Sequence, residues 1–358
     1  MTLTLIDPGF DHLSLAAFDE VIADRPIREL ESLTPRQLKD IIVRCDLANV
    51  LVATGDGGQG GDLGTTLHIL QHVAQRCPSI AMILCMHYHV VGTMAMVPEA
   101  FPFAGTLLPD VGRRNALVAS AFAEGIPGRS IYTSTVTARI DGAHAVIRGS
   151  KKPCTMSGIA DYFGVSVTAG NGDPGLALVP ATSEGIVREP FWPSELLLAA
   201  DSHHVRFDDV RIDAGHVLFG APEQMQTVLA LGTAAFNAMI NAAYTGAALA
   251  LANKVPARPR AEPALAIELH GRLLQSWLAM QALVPRIGDA ASIGQTLDRM
   301  LLVRYRNQAL LGEVVELVAE HVGSRAYLGD EEIGYLSRVC RLMSFHPINR
   351  TAYEHPAA

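Results

Sequence analysis

The spacing of apolar residues changes twice along this chain, and the order of the resulting segments limits the folds that it can adopt. Thr34 and Pro35 mark the start of one of several helices in the first 108 residues. Short β-branched runs, separated by glycine- and proline-containing turns, replace them between positions 116 and 218. Alanine, leucine and helical spacing return from Pro222 onward. The sequence therefore predicts an α+β protein with an N-terminal helical domain, a middle β domain and a C-terminal four-helix bundle, over residues 1–108, 109–220 and 221–358.

Two uncharged stretches are apolar enough to be considered as membrane spans. The first, over residues 78–98, contains His87 and His89, and the second, over residues 225–253, contains Asn237 and Asn241. In a bilayer these polar side chains carry a large insertion penalty. We therefore expect two helices buried in a large helical core and no membrane association.

The composition bears on the partners of the protein. Hydrophobic residues make up 49% of the chain and charged residues only 18%. That is apolar for a soluble enzyme, so we expect surface to be buried between subunits, in a homotetramer or at least a dimer. The formal net charge is −8, and no cluster of lysine and arginine is interleaved with aromatic residues. Nucleic acid is therefore not expected as a partner.

The cysteines and histidines give no sign of a metal site. The five cysteines are scattered and form no CxxC pair, so neither a disulfide framework nor zinc is indicated. The adjacent His203 and His204 should point to opposite faces of a strand, which makes joint ligation awkward. No basic region precedes an apolar run at the N-terminus, so we expect no secretory signal and a cytoplasmic location.

Two motifs within this α, β, α order carry a family resemblance. Residues 207–212 and 217–220 read F-D-D-V-R-I and V-L-F-G, close to the family segment F-D-D-V-R-V-P-x-x-x-L-L-G. Residues 52–60 resemble a glycine-rich turn, P-E-x-x-G-G-x-G, without its Pro-Glu. The chain resembles the acyl-CoA dehydrogenase superfamily over nearly its whole length. The resemblance implies an acyl-CoA dehydrogenase-like fold and FAD as cofactor, or FMN or reduced flavin if the protein is a monooxygenase of that fold.

The resemblance also implies which residues contact the flavin. Residues 121–130 resemble the strand and loop T-E-P-x-A-G-S-D, with Ala-Glu-Gly in place of Thr-Glu-Pro. Residues 147–155 resemble I-x-G-x-K-x-W-I-T, whose threonine lies beside the reactive flavin nitrogen, with Pro153 at the tryptophan position. The implied flavin contacts are Phe122, Glu124, Gly128, Ser130, Cys154, Thr155 and Arg258.

Two of these contacts have simpler alternatives. A hydroxyl such as that of Thr155 suits the polar edge of a flavin, but a strand can also end in a threonine without any ligand. Arg258 lies near the place of a family segment that reaches a neighbouring subunit's cofactor, but the Phe-Gly of that segment is missing. A solvated loop explains Arg258 equally well.

The position of the catalytic base departs from the family pattern. Acyl-CoA dehydrogenases remove a proton with a glutamate, in most members within Y-E-G-T near the C-terminus. Ungapped alignment places Asn349 or Arg350 there, and the pair Tyr353-Glu354 follows a few residues later. Glu354 is therefore the candidate base. The position on the first bundle helix that a minority of the family uses falls in a stretch without any carboxylate.

Histidines suggest a different chemistry. His87, His89 and His346 resemble positions at which flavin monooxygenases of the same fold carry histidines near the flavin. Imidazole can donate, accept and shuttle a proton near neutral pH. Residues two apart do not share a helix face, so at least one of the first two is expected to be a hydrogen-bonded core residue. The catalytic candidates on this reading are His87 and His346.

Three functions follow from these observations. The first is an FAD-dependent dehydrogenase acting on an acyl-thioester-like or related small substrate, attached to CoA or a carrier protein, with an electron-transfer partner. The second is a two-component flavin-dependent monooxygenase that uses oxygen and flavin reduced by a separate flavin reductase. The third is a non-catalytic scaffold or binding subunit, since fold does not determine function.

Overall fold

The computed structural model describes residues 3–5, 10, 12–126, 132–255 and 262–353. Its N-terminal part is helical. The helices are α1 (Leu13–Ile22), α2 (Ile27–Glu31), α3 (Pro35–Arg44), α4 (Leu63–Ala74), α5 (Pro78–Met96) and α6 (Ala104–Arg114). Thr34 begins α3 through a capping box with Gln37, as its sequence predicts. Helix α6 continues past the predicted domain boundary at Leu108, because Leu107, Leu108 and Val111 form its buried face.

The described residues of the middle part form a mixed, largely antiparallel sheet of eight strands. The strands are β1 (Val118–Ala121), β2 (Thr137–Asp141), β3 (His144–Cys154), β4 (Tyr162–Thr168), β5 (Pro174–Pro180), β6 (Ile186–Glu189), β7 (His203–Asp213) and β8 (Val217–Phe219). Their order is β6-β7-β3-β2-β4-β5-β8, and β1 pairs with β4 in parallel. The long strands β3 and β7 carry two of the sequence segments that resemble the family, the one that begins at residue 147 and the one over residues 207–212.

The C-terminal part is a helical bundle. It contains α7 (Pro222–Ala252), α8 (Glu262–Gln281), α9 (Ile293–Val322), α10 (Ser324–Gly329) and α11 (Glu331–Arg341). Helix α7 packs against α8, α9 and α11, and also against α4 and α5 of the N-terminal part. The predicted boundary at residue 220 falls between β8 and α7. The expected α+β architecture, with helices on either side of a sheet domain in sequence, is confirmed.

Among the residues that the structure describes, two helices, α5 and α7, are long and apolar enough to cross a membrane. In each, the most apolar 18-residue window is mostly enclosed by the protein, 83% for α5 and 100% for α7. Their apolar character therefore matches burial in a protein core, as expected from the polar residues that they contain.

One buried and one half-buried carboxylate connect the three parts. Glu31 at the end of α2 accepts hydrogen bonds from the backbone nitrogen and hydroxyl of Ser79 at 2.8 and 2.6 Å, and from the hydroxyl of Tyr335 on α11. Asp161 accepts from Lys39 on α3 at 2.9 Å and from the backbone nitrogen of Leu117 at 2.8 Å. These contacts fix α5 and β1 relative to the rest of the molecule.

Candidate functional site

Five rings from all three parts of the chain meet beside α5 and α7. His89 on α5 lies 5.8 Å from Phe122, which follows β1, and 5.4 Å from Phe236 on α7, between ring centroids. His346, beyond α11, lies 5.7 Å from Phe236 and 5.5 Å from Tyr244. We refer to these five residues as the ring cluster.

The ring nitrogens of His89 form no hydrogen bond within the described protein. Only 9% of the residue is exposed, yet neither ring nitrogen has a hydrogen-bond partner in the part of the chain that the structure describes. Several described side-chain atoms are shielded from solvent and have no hydrogen-bond partner, but the two nitrogens of His89 are not among them. Burial lowers the pKa of His89 to about 3. The ring is therefore neutral at ordinary pH, with both nitrogens available to a ligand.

His87 faces the other way, as expected for residues two apart on a helix. Its Nε2 lies 2.8 Å from the carbonyl oxygen of Ala48, and its Nδ1 accepts from the backbone nitrogen of Val118 at 3.0 Å. Burial lowers its pKa to about 4. Both ring nitrogens thus join backbone groups of the core. The structure does not bring His87 into the ring cluster, and it matches the alternative of a hydrogen-bonded core histidine.

His346 is held by Tyr244 within the ring cluster. Its Nε2 lies 2.7 Å from the hydroxyl oxygen of Tyr244. Its Nδ1 has no hydrogen-bond partner among the described residues. Burial, with the charge of Arg304 nearby, lowers the pKa of His346 to about 3. This predicted residue therefore offers a free nitrogen next to the two aromatic rings of α7.

Arg304 on α9, which was not among the candidates in the sequence, forms hydrogen bonds to the segment that carries His346. It is fully buried. One terminal nitrogen donates to Asn237 Oδ1 at 2.7 Å and to the carbonyl oxygen of Pro347 at 2.9 Å. The other donates to the carbonyl oxygens of His346, at 3.1 Å, and of Ile348. Burial lowers its pKa to about 10, so the group stays charged at neutral pH.

Comparison with known proteins agrees with this architecture. No protein-family model matches the chain. Isobutylamine N-hydroxylase of Streptomyces viridifaciens is 29% identical over 317 residues, 85% of this chain and 84% of that enzyme. The solved structure of KijD3 with dTDP is similar with a TM-score of 0.81 at 21% identity, over 94% of this chain and 92% of that one. FMN-bound TdsC from Paenibacillus sp. A11-2 is similar with a TM-score of 0.78 at 18% identity, over 95% of each chain. The chain has the acyl-CoA dehydrogenase fold.

Within the acyl-CoA dehydrogenase fold, Glu124 has a defined structural partner. Its carboxylate accepts from Lys151 Nζ at 2.8 Å and from the backbone nitrogen of Thr135 at 2.7 Å. Burial opposes the charged form, but these donors prevail and lower the pKa of Glu124 to about 2. Lys151 is itself completely buried. The pair joins the segment after β1 to β3, which explains why the glutamate and lysine of the two family motifs are both present here.

The other predicted flavin contacts are distributed as follows. Phe122 belongs to the ring cluster. Cys154 is fully buried, and burial raises the pKa of its thiol to about 12, so it is a poor nucleophile. The hydroxyl of Thr155 lies 3.0 Å from that of Ser202, which leaves each oxygen with further hydrogen-bonding capacity. Gly128, Ser130 and Arg258, and the candidate base Glu354, lie outside the described residues.

Neither position that carries the glutamate in this fold holds a carboxylate among the described residues. At the C-terminal position, Arg350 donates to the carbonyl oxygen of Tyr305 at 3.0 Å. On α7, Asn237 pairs with Arg304, and Asn241 accepts from Asn307 at 2.9 Å. No cluster of three or more metal-binding side chains occurs in the described residues.

Proposed function

We propose that this chain is a flavin-dependent monooxygenase that uses reduced flavin and oxygen to hydroxylate the nitrogen of a small primary amine. The observation that carries the proposal is the pair of neutral histidines, His89 and His346, whose free nitrogens lie in a largely buried aromatic cluster. The relatives support it. One is named an isobutylamine N-hydroxylase, and KijD3 was solved with FMN and an amino sugar linked to dTDP. TdsC is named a dibenzothiophene monooxygenase.

The residues of the ring cluster suit a flavin. The isoalloxazine ring is flat and largely apolar, and it needs stacking surface with a few polar partners at its edge. Phe122 and Phe236 of the cluster offer the apolar surface. Outside the cluster, Thr155, which the family resemblance places beside the flavin, and its partner Ser202 offer hydroxyls. Neither nitrogen of His89 has a hydrogen-bond partner in the described protein, so both are open to a hydrogen bond with a ligand.

The chemistry requires two electrons and one oxygen molecule. When bound, the reduced flavin would supply the two electrons, so that one oxygen atom enters the amine to give a hydroxylamine and the other leaves as water. The nitrogen must be unprotonated to react, because its lone pair forms the new N–O bond. His89 and His346 are neutral and can exchange hydrogen bonds with that nitrogen or with the transferred oxygen without adding a charge.

A dehydrogenase is the competing function. It needs a base of suitable pKa for the α-proton of its substrate. In the described chain the two family positions for that base hold asparagines on α7 and Asn349 and Arg350 near the C-terminus. A dehydrogenase would therefore depend on Glu354.

The test supplies the purified protein with a flavin reductase, NADH, FMN or FAD, a small primary amine such as isobutylamine, and ¹⁸O₂. We expect a hydroxylamine that contains one ¹⁸O atom, detected by mass spectrometry. A matched anaerobic experiment mixes FAD-loaded protein with acyl-CoA thioesters of several lengths. Bleaching of the flavin in that experiment, without hydroxylamine in the first, would establish the dehydrogenase instead.

A further inference from the structure

We propose that Tyr244 and Arg304 are positioning residues that hold His346 as the neutral tautomer protonated on Nδ1, so that this residue acts as a hydrogen-bond donor at the site. What the donor acts on depends on the proposed function, but the tautomer does not.

The tautomer follows from the hydrogen bond between Tyr244 and His346. Tyr244 is 2% exposed, and its hydroxyl has His346 Nε2 as its one partner among the described residues. If Nε2 carried the proton, it would donate to the phenol oxygen, and the phenol proton would be buried without an acceptor. A buried donor without an acceptor loses its hydrogen bonds to water and gains none in return, so this arrangement is disfavoured. The phenol therefore donates to Nε2, and the imidazole proton lies on Nδ1.

Arg304 prevents the alternative of a doubly protonated ring. Its guanidinium contacts four oxygens, all of them neutral amide or carbonyl groups, and no carboxylate pairs with it in the described chain. The other titratable groups near the pair are neutral as well. Tyr305, whose hydroxyl donates to Ile348, and the thiols of Cys85 and Cys340 are neutral because burial raises their pKa values. His89, which packs on the same Phe236, is neutral because burial lowers its pKa. A second positive charge on His346 would thus meet an uncompensated cation.

Arg304 also fixes where the ring points. It binds the carbonyl oxygens of three consecutive residues, 346 to 348, and Asn237. Asn237 in turn donates to the carbonyl oxygen of Thr233 at 2.7 Å, one turn earlier on α7. The planar guanidinium therefore links α7, α9 and the segment that carries His346, in a geometry that lysine cannot reproduce.

The direct test is the tautomer of His346 in the protein without flavin. Long-range ¹H–¹⁵N correlation spectra of ¹⁵N-histidine-labelled protein distinguish the two neutral tautomers and the cation, and His346→Gln assigns the signal. We expect the Nδ1-protonated form in the wild type from pH 8 to pH 5. In Tyr244→Phe the ratio of tautomers should shift by about fivefold toward Nε2, the size expected for one lost hydrogen bond. Tyr305→Phe removes a hydroxyl on α9 that donates to the carbonyl oxygen of Ile348 and does not contact the imidazole, so it should leave the ratio unchanged.

Two results would overturn the inference. One is a wild-type His346 protonated on Nε2 or doubly protonated at pH 7. The other is a folded Tyr244→Phe protein with an unaltered ratio. The wild-type spectrum decides the tautomer even if a variant fails to fold.

The role of the donor is tested separately, by the share of NADH electrons recovered in hydroxylamine rather than hydrogen peroxide. We expect that share to fall in Tyr244→Phe and Arg304→Lys and to persist in Tyr305→Phe. If His346 shows the expected tautomer but the wild type forms no hydroxylamine, the proposed function is wrong and the tautomer stands. If hydroxylamine forms but His346 is in another protonation state, the proposed function stands and the inference about the tautomer is wrong.

Discussion

Two histidines two residues apart on α5 have opposite fates in this protein. His87 gives both nitrogens to backbone groups of the core, whereas His89 keeps both free within the ring cluster. The difference arises from the 100° step of the helix, which turns the two side chains about 200° apart. The chemically available histidine of the pair is therefore His89.

This difference predicts contrasting effects of two substitutions. His89→Ala should lower the rate of hydroxylamine formation by about 10²-fold, the lower range for loss of a proton-transferring group, with little change in folding. His87→Ala should instead destabilise the protein by about 2–4 kcal/mol, because it leaves Ala48 and Val118 with unpaired buried backbone groups and opens a cavity. Product formation under flavin-reductase coupling and urea unfolding measure the two effects. Equal losses of activity per folded molecule would contradict the assignment.

The sequence could name some residues of the site and not others. His346 stands out because an imidazole has chemistry of its own and because its surroundings resemble a family motif. Arg304 and Tyr244 gave no such signal, since an arginine or tyrosine at helical spacing has the same pattern whether it faces solvent or the core. Their roles depend on which helices become neighbours, and that is a property of the tertiary structure.

At the scale of elements, Glu31 is the contact on which the position of α5 most depends. Its buried carboxylate accepts hydrogen bonds from Ser79 in the first turn of α5 and from the hydroxyl of Tyr335. No cationic side chain is among its described contacts. The helix that carries His89 is thereby joined to α2 and α11 at its N-terminal end, about three turns from the site.

Glu31→Ala should lower the free energy of unfolding by about 3 kcal/mol, because several buried donors lose their acceptor at once. Glu29→Ala on the same helix is the matched control. Glu29 forms an exposed i,i+4 ion pair with Arg25 at 2.7 Å, and its loss should change stability by no more than about 0.5 kcal/mol. Urea unfolding followed by circular dichroism compares the two variants. Similar midpoints would show that the Glu31 network is not a stabilising connection.

The elements themselves were largely predictable, and the exceptions have physical causes. Strong periodicity and caps located the core helices and the order of helices and strands. The end of α6 was not predicted, because its buried face continues past Leu108 although Pro109 follows there. The ion pair between Glu124 and Lys151 was also not predicted. It joins residues 27 positions apart that meet only when β3 lies beside the segment after β1.

At the scale of the whole molecule, the apolar surface that an oligomer would bury does not lie on α7. The most apolar window of that uncharged helix is enclosed within the protomer itself. Large apolar side chains remain exposed elsewhere in the bundle, including Ile267 at 72% and Leu278 at 52% on α8, and Phe345 at 77%. Ile267 and Leu278 are 11 residues apart and share a helix face.

We predict that this face of α8 is buried between subunits of a dimer or tetramer. Light scattering at micromolar concentration should give a mass of at least twice the 38.3 kDa of the chain. Replacing Ile267 and Leu278 together by glutamate should lower that mass, whereas Leu13→Glu, which changes an exposed residue on α1, should not. A monomeric wild type would refute the prediction.

The buried histidines also make stability depend on pH. His87 and His89 have pKa values of about 4 and 3 in the folded protein, below the ordinary value of 6.5, because burial disfavours the charged ring. The unfolded chain therefore binds more protons at acidic pH. The free energy of unfolding is highest above pH 6.5 and falls as the pH drops toward the pKa values of the folded protein. Between pH 7 and pH 5 the loss should be on the order of 2 kcal/mol for each histidine.

Urea unfolding at several pH values tests this pH dependence. His87→Gln should reduce the slope of stability against pH by about 1.4 kcal/mol per unit near pH 5, the contribution of one proton, while the exposed His144→Gln should retain the wild-type slope. A slope unchanged by His87→Gln would mean that His87 is not held neutral in the core.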